Sequence, residues 1–347
     1  PRLPRTCQDL PCTGGEMKAE PEDFVVEEVA AYEPCGEGEH LYLWVEKRDM
    51  TGDSAIRRIA RAFGVGPGAV GCAGNKDRRA VTRQWFSVPA QRGDPPCPDP
   101  GEGLRILRTS RHGNKLRTGH LRGNRFTVRL GSTRIPPPEA ASAARSVLDR
   151  LSERGMPNFF GPQRFGHDGE TARLGMAFFR GEEDRLPERS RRDGRLRRLA
   201  LSALQSVLYN RYLVLRGERG LVGRALPGDV LKKTDTGGLF LAAAESLETD
   251  QARMDRGEIV HAGPIFGAKL FQAAGEARIL ESEVLAGSGI EVADFSRHAS
   301  LMPGTRRPDL VRPRATSVEV STDGISVSFE LPAGSYASVL IAEVTGG

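Results

Sequence analysis

At 347 residues and 38% hydrophobic content, the chain can supply one large domain or two of ordinary size, each with its own core, and a wholly disordered chain is excluded. The formal charge of +5 and pI of about 9.1 lean towards polyanionic partners without requiring one. No apolar run approaches the ~18 residues of a membrane span and no charged-then-apolar leader opens the chain, so the expected location is the cytoplasm, without a membrane partner.

Residues 17 to 29, MKAEPEDFVVEEV, alternate charged and apolar positions after Pro21, as an exposed or edge strand does, and HLYLWVEK at 40 to 47 alternates more clearly. TGDSAIRRIARAFGV spaces Ala55, Ile56, Ile59, Ala60 and Phe63 along one helix face, with Thr51 or Asp53 as the N-cap. AVGCAG predicts a strand that delivers Asn75, Lys76 and Asp77 to a loop, and RQWFSVP predicts the next strand. The segment 93 to 103 is a Pro/Gly loop, NRFTVRL at 124 to 130 a strand, and a helix should begin after Pro138 and end at Gly155. Residues 196 to 217 form the longest helical pattern. From about 220 to 305 short strands mix with one further helix in LFQAAGEARILESEVLAG. SVEVSTDGISVSFELPAG alternates as a hairpin turning at Asp323-Gly324. Two strands alone are marginal, so this hairpin should join a sheet built by earlier strands, which makes the middle of the chain an insertion.

Charge is unevenly placed. From Leu104 to Pro138 there is no acidic residue, against nine arginines and lysines between Arg105 and Arg134, and a second basic cluster, RSRRDGRLRR, runs from Arg189 to Arg198. Two such clusters point to a surface that tracks phosphates. The cysteines, Cys7, Cys12, Cys35, Cys72 and Cys97, are odd in number and contain no C-x-x-C pair, which argues against a disulfide framework and a zinc ribbon.

GPGAVG at 66 to 71 fits G-x-G-x-x-G in letters only. A helix precedes it and a strand follows, the reverse of the order that aims a helix N-terminus at a pyrophosphate. No P-loop, H-E-x-x-H, G-x-S-x-G or zinc-deaminase pattern is present, and the six histidines show no ligand spacing, so neither a cofactor nor a metal is expected. The candidate for chemistry is Asp77. It sits at a strand-to-loop junction among Lys76, Arg78 and Arg79, where a carboxylate can act as nucleophile or base. From the residues alone, a loop aspartate in an ordinary ion pair accounts for it better.

AGNKDRRAVTRQW, around Asp77, resembles the G-x-K-D-x-x-A-x-T-x-Q signature of the TruD family of tRNA pseudouridine synthases. Further stretches resemble other motifs of that family, in the family's order: KAEPEDFVVEE (18 to 28), LRGNRFT (121 to 127), NFFGPQRFG (158 to 166) and LPAGSYASVLIAEV (331 to 344). The resemblance implies an isomerase that turns a uridine of tRNA, position 13 in the D-arm, into pseudouridine, with no cofactor, no metal, tRNA as partner and no obligate protein partner. It implies Asp77 as the catalytic aspartate and Lys18 as its ion-pair partner. By the same route Phe24, Asn124 and Tyr336 fall where the family contacts the flipped base, and Lys76, Gln84, Gln163 and Arg164 are further candidates for substrate contact. Tyr336 departs mildly from the phenylalanine common at that position. The implied fold is α+β, a bipartite catalytic domain on a mixed, largely antiparallel sheet, residues 1–156 with 306–347, interrupted by an α/β insertion (TRUD) domain at 157–305, with RNA between them. An idle RNA-binding module and a nucleotide-dependent oxidoreductase are the alternatives. Loss of the aspartate would favour the first, and bound-cofactor absorbance the second.

Overall fold

The structure, a computed structural model, describes residues 3–17, 20–90 and 98–347, so Lys18 and residues 93–97 of the predicted loop at 93–103 lie outside the described residues. The first stretch of elements is β1 (Gly14–Met17), β2 (Phe24–Ala30), β3 (His40–Arg48), α1 (Gly52–Ala62), β4 (Gly71–Cys72), β5 (Val81–Pro89), β6 (Leu104–His112), β7 (Leu121–Thr133) and α2 (Pro137–Arg154). Next come β8 (Met156–Pro157), α3 (Glu170–Arg180), α4 (Glu188–Arg192), α5 (Gly194–Glu218), β9 (Val230–Lys233), β10 (Leu239–Leu241), α6 (Leu247–Asp255), β11 (Ile259–Ile265) and α7 (Gly275–Ala286). The chain closes with β12 (Thr305–Pro308), β13 (Leu310–Val311), β14 (Arg314–Ser321), β15 (Gly324–Pro332) and α8 (Ala337–Thr345).

Two compact units result. One takes residues 7–154, 312–334 and 342–347; the other takes 155–311, 335–341 and the chain's first residues to Thr6. The first unit is built on a nine-stranded sheet of order β14-β15-β7-β2-β5-β3-β6, with β1 beside β7 and β4 beside β5. Only β2 and β5 run parallel, so the fold is α+β on a mixed, largely antiparallel sheet.

Strand alternation gives this sheet two different faces. On one, Leu43, Val45, Phe86 and Val88 pack with Ala55, Ile59 and Phe63 of the α1 segment, and the rings of Phe24, Phe126 and Phe329 stack in series at 6.0 and 5.5 Å. Thr51 caps α1 by accepting from the Ser54 amide. On the opposite face an alternating ladder of charge crosses six neighbouring strands: Arg105, Glu46, Arg83, Glu27, Arg125 and Glu330, each paired with the next at 2.6 to 3.7 Å. Every one of these pairs joins residues directly opposite in the strand register. The basic stretch from Arg105 to Arg134 is thus partly consumed within the sheet.

The final hairpin does join the earlier strands, β15 pairing with β7 along its length, and its loop is Thr322-Asp323, one residue before the predicted position. A Cβ on Gly324 would lie 1.9 Å from the Leu130 carbonyl oxygen, so this glycine serves the close approach of β7. Gly155, at φ +83°, ends α2 as predicted.

In the second unit α3 crosses α5 at Gly175, where a Cβ would lie 2.1 Å from the Ala200 carbonyl oxygen. Phe178, Phe179, Leu204, Leu208 and Phe295 fill its core, and β10-β9-β11-β12 form an antiparallel sheet. Behind it lies a buried polar network in which Arg216 pairs with Asp229, and His261 bridges Asp229 and Asp309.

β6, α3 and α8 were not expected from the sequence, which predicted one helix between about 220 and 305 where the described residues hold two, α6 and α7. β6 is an edge strand with arginines on both faces, so its pairing to β3 defines it rather than its alternation. α8, ASVLIAEVT, is short and largely apolar all round, which leaves no amphipathic period to read. The helix expected from residue 270 starts only at Gly275, because Ala274 is extended.

Candidate active site

Asp77 lies in the loop from β4 to β5, exposed, and no described residue donates a hydrogen bond to its carboxylate. The loop that carries it, by contrast, is held from three adjacent strands. Lys47 on β3 donates from Nζ to the carbonyls of Asp77 and Met50, at 2.7 Å each. Gln84 on β5 donates from Nε2 to the carbonyl of Gly74 at 3.0 Å. Glu28 on β2 holds the ammonium of Lys76 at 3.2 Å, with the two side chains 0% and 3% exposed. The three fastening side chains project from the same sheet face, opposite the charge ladder.

Lys76 and Gln84 are therefore turned inward onto the loop's own support. Asn124 stands directly across from Glu28 in the register of β7 and β2, half-buried. Four acceptor-bearing atoms on this face, Glu28 Oε1, Thr82 Oγ1, Gln84 Oε1 and Asn124 Oδ1, are buried without a hydrogen-bond partner among the described residues. Unsatisfied acceptors grouped on adjacent strands are costly and uncommon in a core, and mark a place where polar chemistry is provided for. Phe24 lies on this face of β2 too, four residues before Glu28, half-buried and stacked on Phe126.

Burial shifts two of these groups. It raises the Glu28 carboxyl above its ordinary range, with the Lys76 charge and hydrogen bond opposing. It pushes the Lys47 ammonium down to about 8, with the charge of Asp77 opposing.

Tyr336 belongs to the second unit. Its half-buried ring meets Phe160 edge-on at 5.7 Å, and Phe160 is held by Asn210, which accepts from its amide at 2.9 Å and donates to its carbonyl at 3.0 Å. The Arg307 guanidinium lies 4.1 Å from the centre of the Phe160 ring. Gln163 is exposed and accepts from the Ser338 hydroxyl at 3.0 Å. Arg164 turns back onto α5, bonding Ser206 at 3.1 Å and also Ser202. A Cβ on Gly161 would lie 2.5 Å from Ser338 Oγ and 3.0 Å from Tyr336 Cδ1, so the glycine of NFFG is what lets the Tyr336 segment sit here.

Lys47, Glu28, Asn210 and Arg307 escaped the sequence reading as site residues. Two carried a signal. In HLYLWVEK, Lys47 occupies the inward register of Leu41, Leu43 and Val45, and Glu28 continues the buried side of Val26, so each is a charge at a core position.

A sequence profile of the family described as tRNA pseudouridine synthase D (TruD) matches residues 5–186 and 190–344. The chain belongs to the TruD family. The tRNA pseudouridine synthase D of Anaeromyxobacter dehalogenans (strain 2CP-1) is 48% identical over 345 residues, covering 99% of this TruD-family chain and 97% of the relative. That of Thermus thermophilus is 43% identical over 344 residues, covering 99% and 92%. A crystal structure of a Methanosarcina mazei protein named for the same family matches with a TM-score of 0.76 at 24% identity over 99% of this chain and 96% of that one, a likeness of fold. No helix of this TruD-family chain among the described residues is long and apolar enough to cross a membrane.

Proposed function

We propose that this chain isomerises uridine 13 in the D-arm of tRNA to pseudouridine, with Asp77 as the catalytic carboxylate and no cofactor. The supporting observation is the contrast at Asp77: its loop is fastened from three strands, at Gly74, Lys76 and Asp77, while its carboxylate is left exposed and unpaired among the described residues. A carboxylate so presented is preorganised for a substrate that supplies the rest of its surroundings, as a nucleotide turned out of its RNA does.

The reaction breaks the bond from C1′ to N1 and forms one from C1′ to C5. The C5 proton is released and N1 ends protonated, so nothing is oxidised and nothing is consumed. Asp77 acts at the sugar or the base to release the glycosidic bond. Lys18 is its proposed ion-pair partner, and Phe24, Asn124 and Tyr336 are the proposed contacts to the base, through ring faces and an amide. The proposed domains are a catalytic one, residues 1–156 with 306–347, and an insertion at 157–305.

The test is Asp77→Asn on unmodified tRNA, with product mapped by position. Binding of tRNA should persist while formation of pseudouridine falls below detection, and product in the wild type should lie at position 13. A variant that works at the wild-type rate, or product elsewhere, defeats the corresponding part of the proposal.

A further inference from the structure

Lys47 is fully buried, its ammonium bonds two backbone carbonyls, and no carboxylate lies within ion-pair distance of it among the described residues. Burying a cation on neutral acceptors costs several kcal/mol relative to an apolar side chain of similar volume. A stability requirement alone would favour methionine here, in line with Leu43 and Val45. The carbonyl it grips is that of Asp77 itself. The charged groups that act on Lys47 are Asp77 and Lys76 from the loop and Asp49 just past the end of its own strand; across the sheet its register partners are the neutral Thr82 and Leu104.

We propose that Lys47 is a positioning residue for Asp77, fixing the loop backbone through the carbonyl and holding a positive charge beside the carboxylate while the glycosidic bond is exchanged. This rests on Asp77 as the catalytic carboxylate. The two roles are separable. A neutral amine keeps two N–H groups for the two carbonyls, so raising the pH through about 8 removes the charge and leaves the grip.

The experiment measures single-turnover rate on saturating unmodified tRNA, together with tRNA affinity, from about pH 6 to about 9.5, for wild type, Lys47→Met, Lys47→Arg and Asp77→Asn. The wild-type rate should fall as pH rises through about 8. Lys47→Met should be slower by roughly tenfold or more at neutral pH, with affinity within about threefold, and should lack that fall. Lys47→Arg, which stays charged, should also lack the fall and retain more rate than Lys47→Met. Wild-type rate in Lys47→Met, a flat wild-type profile, or the same fall in both Lys47 variants overturns the proposal. If Lys47→Met shows no cooperative unfolding, the wild-type and Lys47→Arg profiles decide by the same criteria. Activity in Asp77→Asn removes the premise and is recognised separately, because it leaves the Lys47 profiles unexplained by that carboxylate.

Discussion

Glu28 Oε2 holds the Lys76 ammonium at 3.2 Å with both side chains withdrawn from solvent, which ties the residue next to Asp77 into the middle of the sheet. A buried pair contributes less to stability than its breakage suggests, because removing one partner strands the other charge. Glu28→Ala should therefore cost about 3–5 kcal/mol in urea unfolding, while the double variant Glu28→Met with Lys76→Met should recover most of it. The double variant should still lose rate on tRNA, since the loop is no longer tied. Full activity in the double variant would show that the tie serves folding alone.

Lys47 makes stability depend on pH in the direction opposite to its effect on rate. Its folded pKa of about 8 lies below the ordinary 10.5, so between those values the unfolded chain binds a proton that the folded chain does not. Stability from this group is therefore lost as pH falls through about 8 and present above 10.5, a difference of about 3 kcal/mol. The difference in unfolding free energy between wild type and Lys47→Met should rise with pH across that window. A constant difference would mean that Lys47 titrates normally.

Gly161 has an ordinary backbone conformation, φ −72°, so only space demands a glycine. Gly161→Ala should push Tyr336 and Ser338 aside at a cost of about 1–3 kcal/mol. If the Tyr336 ring meets the target base, the rate should fall by about tenfold to a hundredfold while tRNA affinity changes little. An unchanged rate would remove Tyr336 from the site.

The charge ladder sorts the basic surface into two groups. Arg105 and Arg125 are paired with carboxylates, whereas Arg117, Arg122 and Arg134 are exposed outside the ladder. Neutralising Arg117, Arg122 and Arg134 should weaken tRNA binding and flatten its dependence on salt, by roughly 0.7 to 0.9 in log–log slope for each phosphate no longer neutralised by the protein. Arg125→Ala should change the slope less. Binding that is equally salt-dependent in all variants would place the phosphate-binding surface elsewhere.

What could be read from the sequence is what neighbours along the chain decide. The alternation of HLYLWVEK, the Thr51 cap, the Gly155 helix end and the strand-to-loop placement of Asp77 depend on periods of two or 3.6 residues and on single-residue backbone preferences. The motifs around Asp77 likewise carry their chemistry in residue type and spacing. Tertiary structure alone decided which distant strands lie side by side. Arg125 meets Glu330 across 205 positions, Lys76 meets Glu28 across 48, and Lys47 reaches the carbonyl of Asp77 across 30. Such partners are set by sheet register, in which a shift of one residue would exchange the charge ladder for the face that fastens Asp77.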